Sequence, residues 1–241
     1  MDTDQQKALD NAGHRQRVRD RFIKTDGEDF ADYELLELLL MMSIPRRDVK
    51  PIAKELLRKF GSFANVIYAP RDELTQINWI KDGTFVLFRA IVASVKKICR
   101  EYMYEDNGIS LLTPSSLIEY CRASMAYEDV EEVRAVYLDS QLKLLADELL
   151  QKGSLTSVSI SPRDIIIGAL KHKASSVILI HNHPSDNVVP SDADKFITKQ
   201  IFEACRLINI DLQEHIIIGK TNYFSFAEHH IIDALRQNFK N

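Results

Sequence analysis

The chain has 241 residues, of which 45% are hydrophobic, and a formal net charge of −4 at pH 7. This length allows one large or two modest globular domains, and the sequence has no run of about 20 apolar residues of the kind that spans a membrane. Its three cysteines are scattered and match neither a zinc-finger spacing nor a disulfide framework. We therefore expect a cytoplasmic protein that has no signal peptide and no membrane partner.

The first hundred residues are predicted to be helical. Residues 34–42 form a dense run of apolar and acidic side chains, and the helical pattern returns over residues 90–98. Between them, residues 51–60 begin with Pro51 and end before Gly61. Proline in the first turn and glycine just past the last turn are the usual start and stop signals of a helix.

Positive charge is concentrated in the same region. Residues 46–100 contain 12 Lys or Arg residues but 5 Asp or Glu residues. One interpretation is weak, non-specific contact between this segment and DNA phosphates, which would be sensitive to salt. The alternative is a helical docking domain with a solvated basic face. The candidate phosphate contacts are Arg46, Arg47, Lys50, Arg58 and Lys59.

The remaining residues are predicted to alternate between helices and strands. Turn-forming residues over 102–114 indicate a linker. Beyond it we predict helices at residues 114–122, 162–172, from 191 and from 228, and strands at residues 133–139, 143–149, 177–180, 210–218 and 223–226. Such a mixture of elements around one sheet, with both faces covered, is typical of the α/β class.

Two histidines flank a single residue at the end of the most apolar strand. Val177-Ile178-Leu179-Ile180 is a continuous apolar run, as in a strand buried on both faces, and His181-Asn182-His183-Pro184 follows it directly. Alternate residues of an extended chain point the same way, and Pro184 keeps His183 extended. Both imidazoles can therefore reach one metal ion.

A carboxylate follows at a suitable position. Asp194 lies in the first turn of a helix that we predict to begin after Ser191 as its N-cap, so its side chain can turn back toward the histidines. Two imidazoles and one carboxylate suit zinc and leave one coordination position for water. Alternatively, Ser191 and Asp194 form only a capping box. The sequence thus predicts a metal site at His181, His183 and Asp194.

These residues carry a family resemblance. His-x-His, then seven residues, Ser, two residues and Asp resembles the JAMM motif of JAB/MPN-fold metalloproteases. With it, several further segments resemble the bacterial RadC family over nearly the whole chain: residues 32–37, 45–50, 161–164, 215–219 and 225–228. The resemblance implies an α/β fold whose C-terminal JAB/MPN-type mixed sheet, over residues 113–241, is flanked by helices. It also implies a small all-α, helix-hairpin-helix-like domain over residues 1–106.

The resemblance also implies a function. It indicates a JAMM-type, zinc-dependent metallohydrolase with one Zn²⁺ per chain, acting as a peptidase or isopeptidase on an unidentified peptide or isopeptide substrate. Glu131 is the implied general base, ahead of Glu132, which strand alternation would turn to the opposite face. Ser191 is the implied hydrogen-bond donor to the oxyanion. The alternatives are a DNA-associated repair or recombination protein and a catalytically idle MPN scaffold that forms a homodimer or recruits a partner.

The sequence departs from the family pattern at three points. Asp186 stands where the family usually has glycine, and Glu214 stands where aspartate is more usual. In the implied phosphate-binding turn at residues 79–83, only Gly83 is a glycine, and Asp82 would face a phosphate unfavourably. His215, within an apolar strand-like run, is predicted to be structural rather than a ligand.

Overall fold

The structure is a computed structural model that describes residues 3–104, 114–153 and 160–238. The chain divides into two compact units, Met1–Ser94 and Val95–Asn241, and the division falls inside one long helix. The domain limits expected from the sequence, at residues 106 and 113, lie outside the described residues.

Helices make up the regular structure of the first unit. They are α1 (Thr3–Thr25), α2 (Asp32–Ser43), α3 (Lys50–Phe60), α4 (Phe63–Tyr68), α5 (Arg71–Leu74) and α6 (Asp82–Tyr104), which continues past the division. Leu36, Leu56 and Phe88 are fully buried in a shared core. The predicted signals around α3 are confirmed, because a proline lies in its first turn and Gly61 ends it in the left-handed conformation at φ 84°.

Helix α6 corrects two expectations from the sequence. It runs to Tyr104, so residues 102–104 are helical rather than part of a linker, whereas the rest of the expected linker up to residue 113 is not described. Asp82 and Gly83 belong to its first turn, and Asp82 accepts a hydrogen bond from Arg71 Nε at 2.8 Å. The turn expected at residues 79–83 is thus already partly helical, and further along the same helix Phe88 and Val92 are buried in the core of the first unit.

The second unit is built on a five-stranded mixed sheet in the order β2-β1-β3-β4-β5. The strands β1 (Glu132–Leu138) and β2 (Leu144–Lys152) pair as an antiparallel hairpin, as predicted, and β1 also pairs antiparallel with β3 (Ser176–Asn182). Strand β3 runs parallel to β4 (Asp211–Ile218), which is followed by the short antiparallel β5 (Tyr223–Ser225).

Helices cover both faces of this sheet, which confirms the α/β expectation. On one face α8 (Pro162–His172) and α9 (Asp192–Leu207) pack on side chains such as Tyr137 and Leu179. On the other, α7 (Pro114–Met125) packs on alternate residues of the same strands, such as Val136. The segregation follows from the two-residue period of a strand, which sends successive apolar side chains to opposite cores.

The connection between β3 and β4 positions the histidines and Asp194. Parallel neighbours require a crossover, and α9 provides it, so α9 begins near the C-terminal end of β3. That is the end of an open α/β sheet where ligands usually bind. The last helix, α10 (Ile231–Asn238), begins three residues later than predicted because His230 adopts a left-handed φ of 58°. Among the described residues, we find no helix long and apolar enough to cross a membrane.

Candidate metal centre

The two histidines meet at the end of β3. His181 is the penultimate residue of the strand and is 3% exposed, and His183 follows the strand with its backbone N–H donating to Ile218 O at 2.9 Å. Their Nε2 atoms lie 3.0 Å apart. The side-chain alternation predicted from the sequence therefore brings both imidazoles to one point.

Asp194 reaches the same point from the first turn of α9. Its Oδ1 lies 3.3 Å from His181 Nε2, and its Oδ2 lies 3.9 Å from His183 Nε2. The same Oδ2 accepts hydrogen bonds from the backbone N–H and the hydroxyl of Ser191, at 2.7 and 2.6 Å. Ser191 is the N-cap, and its Oγ accepts from Asp194 N at 3.1 Å. The capping and the metal-ligand interpretations are thus compatible, because a carboxylate has two oxygens.

The three side chains have the separations that one metal ion requires. One ligand atom from each of His181, His183 and Asp194 can be chosen so that all lie within 4.8 Å of one another. Ligand atoms of a tetrahedral zinc, with bonds of about 2.0–2.1 Å, lie about 3.3 Å apart. Within the described parts of the chain, this is the one group of three or more His, Cys, Asp or Glu side chains with such spacing.

The protonation of His183 favours metal binding. Its Nδ1 lies 2.6 Å from the backbone carbonyl oxygen of Asn187. A carbonyl can only accept, so Nδ1 carries the proton, and in the neutral ring Nε2 keeps its lone pair. That lone pair is directed toward the point that it shares with His181 and Asp194. A hydrogen bond from the non-ligating nitrogen to a carbonyl is the usual way in which a metal-binding histidine is oriented.

Burial and local charge keep the ligands in their metal-binding forms. Burial lowers the pKa of His181, against the raising effects of Asp194 and, more weakly, Glu131. Burial raises the pKa of Asp194, but its interaction with His181 and the hydrogen bonds from Ser191 outweigh this effect, so the pKa falls below its ordinary value. A neutral imidazole and an ionised carboxylate, the forms that bind a metal, are therefore favoured near pH 7.

Glu131 and Glu132 lie on opposite faces of the sheet. His181 is the partner of Val133 in the β1–β3 pairing, and paired residues share a face, so alternation places Glu131 on the His181 side. Glu132 is 5% exposed, belongs to the other face and accepts from Lys152 Nζ at 2.6 Å. Burial lowers the pKa of His181, and the charge of Glu131 opposes that effect weakly. Glu131, and not Glu132, therefore lies on the face of the sheet that carries His181.

Asn182, between the two histidines, holds the chain on both sides of Glu131. Its Oδ1 accepts from Glu132 N at 2.6 Å, and its Nδ2 donates to Val130 O at 3.1 Å. The side chain is fully buried. We did not single out Asn182 from the sequence, where its position between two stronger candidates was the available signal. It ties the segment that carries Glu131 to the strand that carries the histidines.

Two further buried side chains, Thr198 and His215, stand behind the ligands. His215 Nε2 lies 2.8 Å from His181 Nδ1, and its Nδ1 lies 2.7 Å from Thr198 Oγ1. Both ring nitrogens of His215 are engaged in this way, and burial lowers its pKa well below the ordinary value. Thr198 follows Asp194 by four residues on α9, which is a helical spacing that gave no signal of its own in the sequence.

Two of the departures from the family pattern, Asp186 and Glu214, have structural explanations. Asp186 is left-handed at φ 63°, a conformation that glycine and, less readily, aspartate adopt. Its carboxylate accepts from Thr221 N and Oγ1 at 3.0 and 2.6 Å, so it secures a turn. Glu214 accepts from Ser225 Oγ and Ala227 N, and burial raises its pKa. Neither carboxylate is among the metal-spaced ligands.

A cavity of about 320 Å³ opens beside Asp194. Its walls include Ile160 and Pro162 at the start of α8 and Phe196 and Ile197 in α9. The lining is mainly apolar apart from Asp194 and a few polar side chains. Such a mainly apolar space with a polar group at one end is typical of small ligand sites.

Sequence comparison with known proteins identifies the domain that carries this group of residues. Residues 111–231 match the family described as RadC-like JAB domain. The chain is also 38% identical to a UPF0758 protein of Ruegeria pomeroyi over 213 residues, which cover 88% of this chain and 94% of that protein. The matched family segment contains the sheet, both histidines and Asp194. The chain therefore belongs to the family of proteins that contain a RadC-like JAB domain.

Proposed function

We propose that this protein is a JAMM-type, zinc-dependent hydrolase that cleaves a peptide or isopeptide bond. The observation that carries the proposal is the convergence of two imidazole nitrogens and one carboxylate, separated by 3.0 to 3.9 Å in a largely buried setting. Electron-rich atoms so close together repel one another unless a proton or a cation lies among them. The set contains no thiolate and has three members, as in catalytic rather than structural zinc sites.

Zinc, when bound, would supply a water nucleophile at neutral pH by lowering its pKa toward about 7, and would polarise the scissile carbonyl. His181, His183 and Asp194 would hold the ion. Glu131 would accept the proton of the attacking water and later deliver it to the leaving amine, as a general base that becomes a general acid. Its location on the same face as His181, with Asn182 bonded on either side of it, supports this role.

Ser191 and the apolar cavity would act on the substrate. In the structure the hydroxyl of Ser191 donates to Asp194, so stabilising an oxyanion would require it to rotate away from that carboxylate. The backbone N–H of Ser191 also donates to Asp194 and keeps that carboxylate in place meanwhile. The cavity beside Asp194 would receive an apolar side chain next to the scissile bond.

Metal content of the purified protein is the first test. We expect about one zinc per chain in the wild type and none in His181→Ala. His230→Ala is the matched control, because His230 is exposed and lies outside the ligand group, and it should retain the metal. A wild-type protein with no more metal than His181→Ala, after incubation with zinc and buffer exchange, would overturn the proposal.

Hydrolysis is the second test. The probes are a library of quenched fluorescent peptides and a library of peptides joined through the ε-amine of lysine. We expect zinc-loaded wild type to cleave members of one library, and His181→Ala to cleave none. Loaded wild-type protein that cleaves neither library would favour the idle-scaffold alternative.

A further inference from the structure

A chain of hydrogen bonds joins the two sides of the metal centre behind the ligands. It starts at the backbone carbonyl of Asp194, which accepts from Thr198 Oγ1 at 2.5 Å. Thr198 Oγ1 is 2.7 Å from His215 Nδ1, and His215 Nε2 is 2.8 Å from His181 Nδ1. The chain therefore begins at one ligand, Asp194, and ends at another, His181.

The direction of every proton in this chain follows from its first member. A carbonyl oxygen can only accept, so the single proton of the Thr198 hydroxyl is donated to it. The hydroxyl oxygen can then only accept from His215, whose Nδ1 must carry a proton. In the neutral ring, His215 Nε2 is an acceptor, and His181 Nδ1 must donate to it. His181 is thereby left with an unprotonated Nε2, the atom that faces Asp194 and His183.

Burial of these side chains keeps the directions of the hydrogen bonds fixed. Thr198 is fully buried, and His215 and His181 are 1% and 3% exposed, so exchange of partners with water is restricted. The ring of His215 also stacks on Phe226, with centroids 4.5 Å apart and planes 22° apart. A reversed proton pattern would leave Thr198 Oγ1 and the carbonyl oxygen of Asp194 2.5 Å apart with no proton between them, a contact at which two oxygen lone pairs repel each other.

We propose that Thr198 and His215 are positioning residues that set the tautomer of His181, so that its Nε2 lone pair faces the metal position. The proposal rests on the metal site of the proposed function but not on hydrolysis. His183 obtains the same tautomer independently from Asn187 O. Both imidazoles thus present unprotonated Nε2 atoms to the same point. Nδ1 of His183 donates directly to a carbonyl, whereas Nδ1 of His181 is connected to a carbonyl through the side chains of His215 and Thr198.

The relay also couples the tautomer to the placement of α9. The carbonyl that accepts the hydroxyl proton of Thr198 belongs to Asp194. The same residue therefore supplies a candidate ligand oxygen and the acceptor at which the hydrogen-bond chain to His181 begins. Movement of α9 away from β4 would break the Thr198–His215 contact. Nε2 of His181 is therefore unprotonated when Asp194 is in place beside it.

The test compares Thr198→Val with Thr198→Ser in the full-length protein. Valine removes the hydroxyl, so nothing holds the proton on His215 Nδ1, whereas serine keeps the hydroxyl. Thr84→Val is the matched control, because Thr84 is also buried and bonds a hydroxyl, that of Ser43, at 2.9 Å in the first unit. Long-range proton–nitrogen spectra of ¹⁵N-histidine-labelled, metal-free protein report the tautomers, and competition with a chromophoric chelator reports zinc affinity.

We expect His181 and His215 to be protonated on Nδ1 in wild type, Thr198→Ser and Thr84→Val. In Thr198→Val we expect the tautomer of His181, His215 or both to change and zinc affinity to fall by about 10–100-fold, as for other residues that orient a ligand. A proton on Nε2 of either histidine in the wild type would overturn the proposal. Wild-type zinc affinity in folded Thr198→Val would do the same.

Two other outcomes are also decisive. If Thr198→Val does not fold, the wild-type and Thr198→Ser spectra alone support or overturn the relay, because the tautomers are read without metal. If the wild type binds no zinc, the proposed function fails, and the same metal-free spectra still decide whether the relay exists.

Discussion

Glu131 and Glu132 are neighbours in the chain, yet the same substitution at each should have opposite consequences. Glu131 lies on the face of the sheet that carries His181, so Glu131→Gln should remove the proton acceptor and lower kcat by about 10²–10⁴-fold. Zinc content and thermal stability should stay close to wild type, because Glu131 belongs to neither the ligand group nor a buried apolar core.

Glu132→Gln should instead affect stability. Glu132 is 5% exposed and accepts from Lys152 Nζ at 2.6 Å, and Lys152 keeps a second partner, Glu128, at 3.1 Å. Replacing the carboxylate by an amide weakens one charge-assisted hydrogen bond without leaving the lysine alone, which costs about 1–2 kcal/mol. For a unit of this size that corresponds to a fall in Tm of about 2–8 °C. Catalysis by the remaining folded protein should be unchanged.

The assay measures zinc content, Tm and the initial rate on whichever peptide or isopeptide probe the wild type cleaves. The refuting result is the exchange of the two phenotypes, with Glu132→Gln inactive and Glu131→Gln destabilised but active. That outcome would mean that β1 is shifted by one residue and that Glu132 faces the histidines. Equal loss of activity in both variants, with Tm unchanged, would contradict the assignment of the two faces as well.

Four further predictions test other parts of the structure. Asn182→Leu removes the buried bonds to Val130 and Glu132, so it should cost about 2–4 kcal/mol and lower kcat more than zinc affinity, and normal kcat would contradict its role. Gly168→Ala places a Cβ against the hydroxyl and ring of the fully buried Tyr137, so it should lower the free energy of unfolding by about 1–3 kcal/mol. Tyr137→Phe should restore part of that loss in the double variant, and an additive double-mutant cycle would refute the contact. Removing zinc with EDTA should lower the Tm. The free energy of unfolding should fall by about 2.7 kcal/mol if the free zinc concentration had been 100 times Kd, and an unchanged Tm would argue against a site formed in the folded protein. The DNA contact expected of residues 46–100 should appear as duplex binding by the full chain that weakens steeply with salt, and no binding at low salt would remove it.

The chemistry of the ligands could be predicted from local sequence. A buried apolar strand ending in His-x-His fixes the shared direction of His181 and His183, because strand side chains alternate. A serine N-cap three residues before Asp194 places the carboxylate in the first helical turn. These signals act over a few residues, and together with the family resemblance they were enough to propose the three ligands without tertiary information. The same holds for helix α3, whose proline and glycine signals mark both of its ends.

Other features depended on contacts between distant parts of the chain. The family resemblance placed Glu131 ahead of Glu132, but only the pairing of β1 with β3 shows that the Glu131 side of the sheet is the one that carries His181. The late start of α10 followed from the left-handed backbone of His230, which local apolar spacing does not reveal. Pairing register and backbone handedness of this kind are decided by the packing of the whole sheet.

The sequence by itself determined which three residues are candidate metal ligands, because ligand type, strand period and helix capping are all local properties. The tertiary structure alone supplied the partners on which the proposed tautomer of His181 depends. His215 and Thr198 are separated by 17 residues, and His181 and His215 by 34, so only the crossover through α9 brings their side chains into one chain of hydrogen bonds. A tautomer depends on the partner of the opposite ring nitrogen, and that partner exists only after the sheet and its helix have packed.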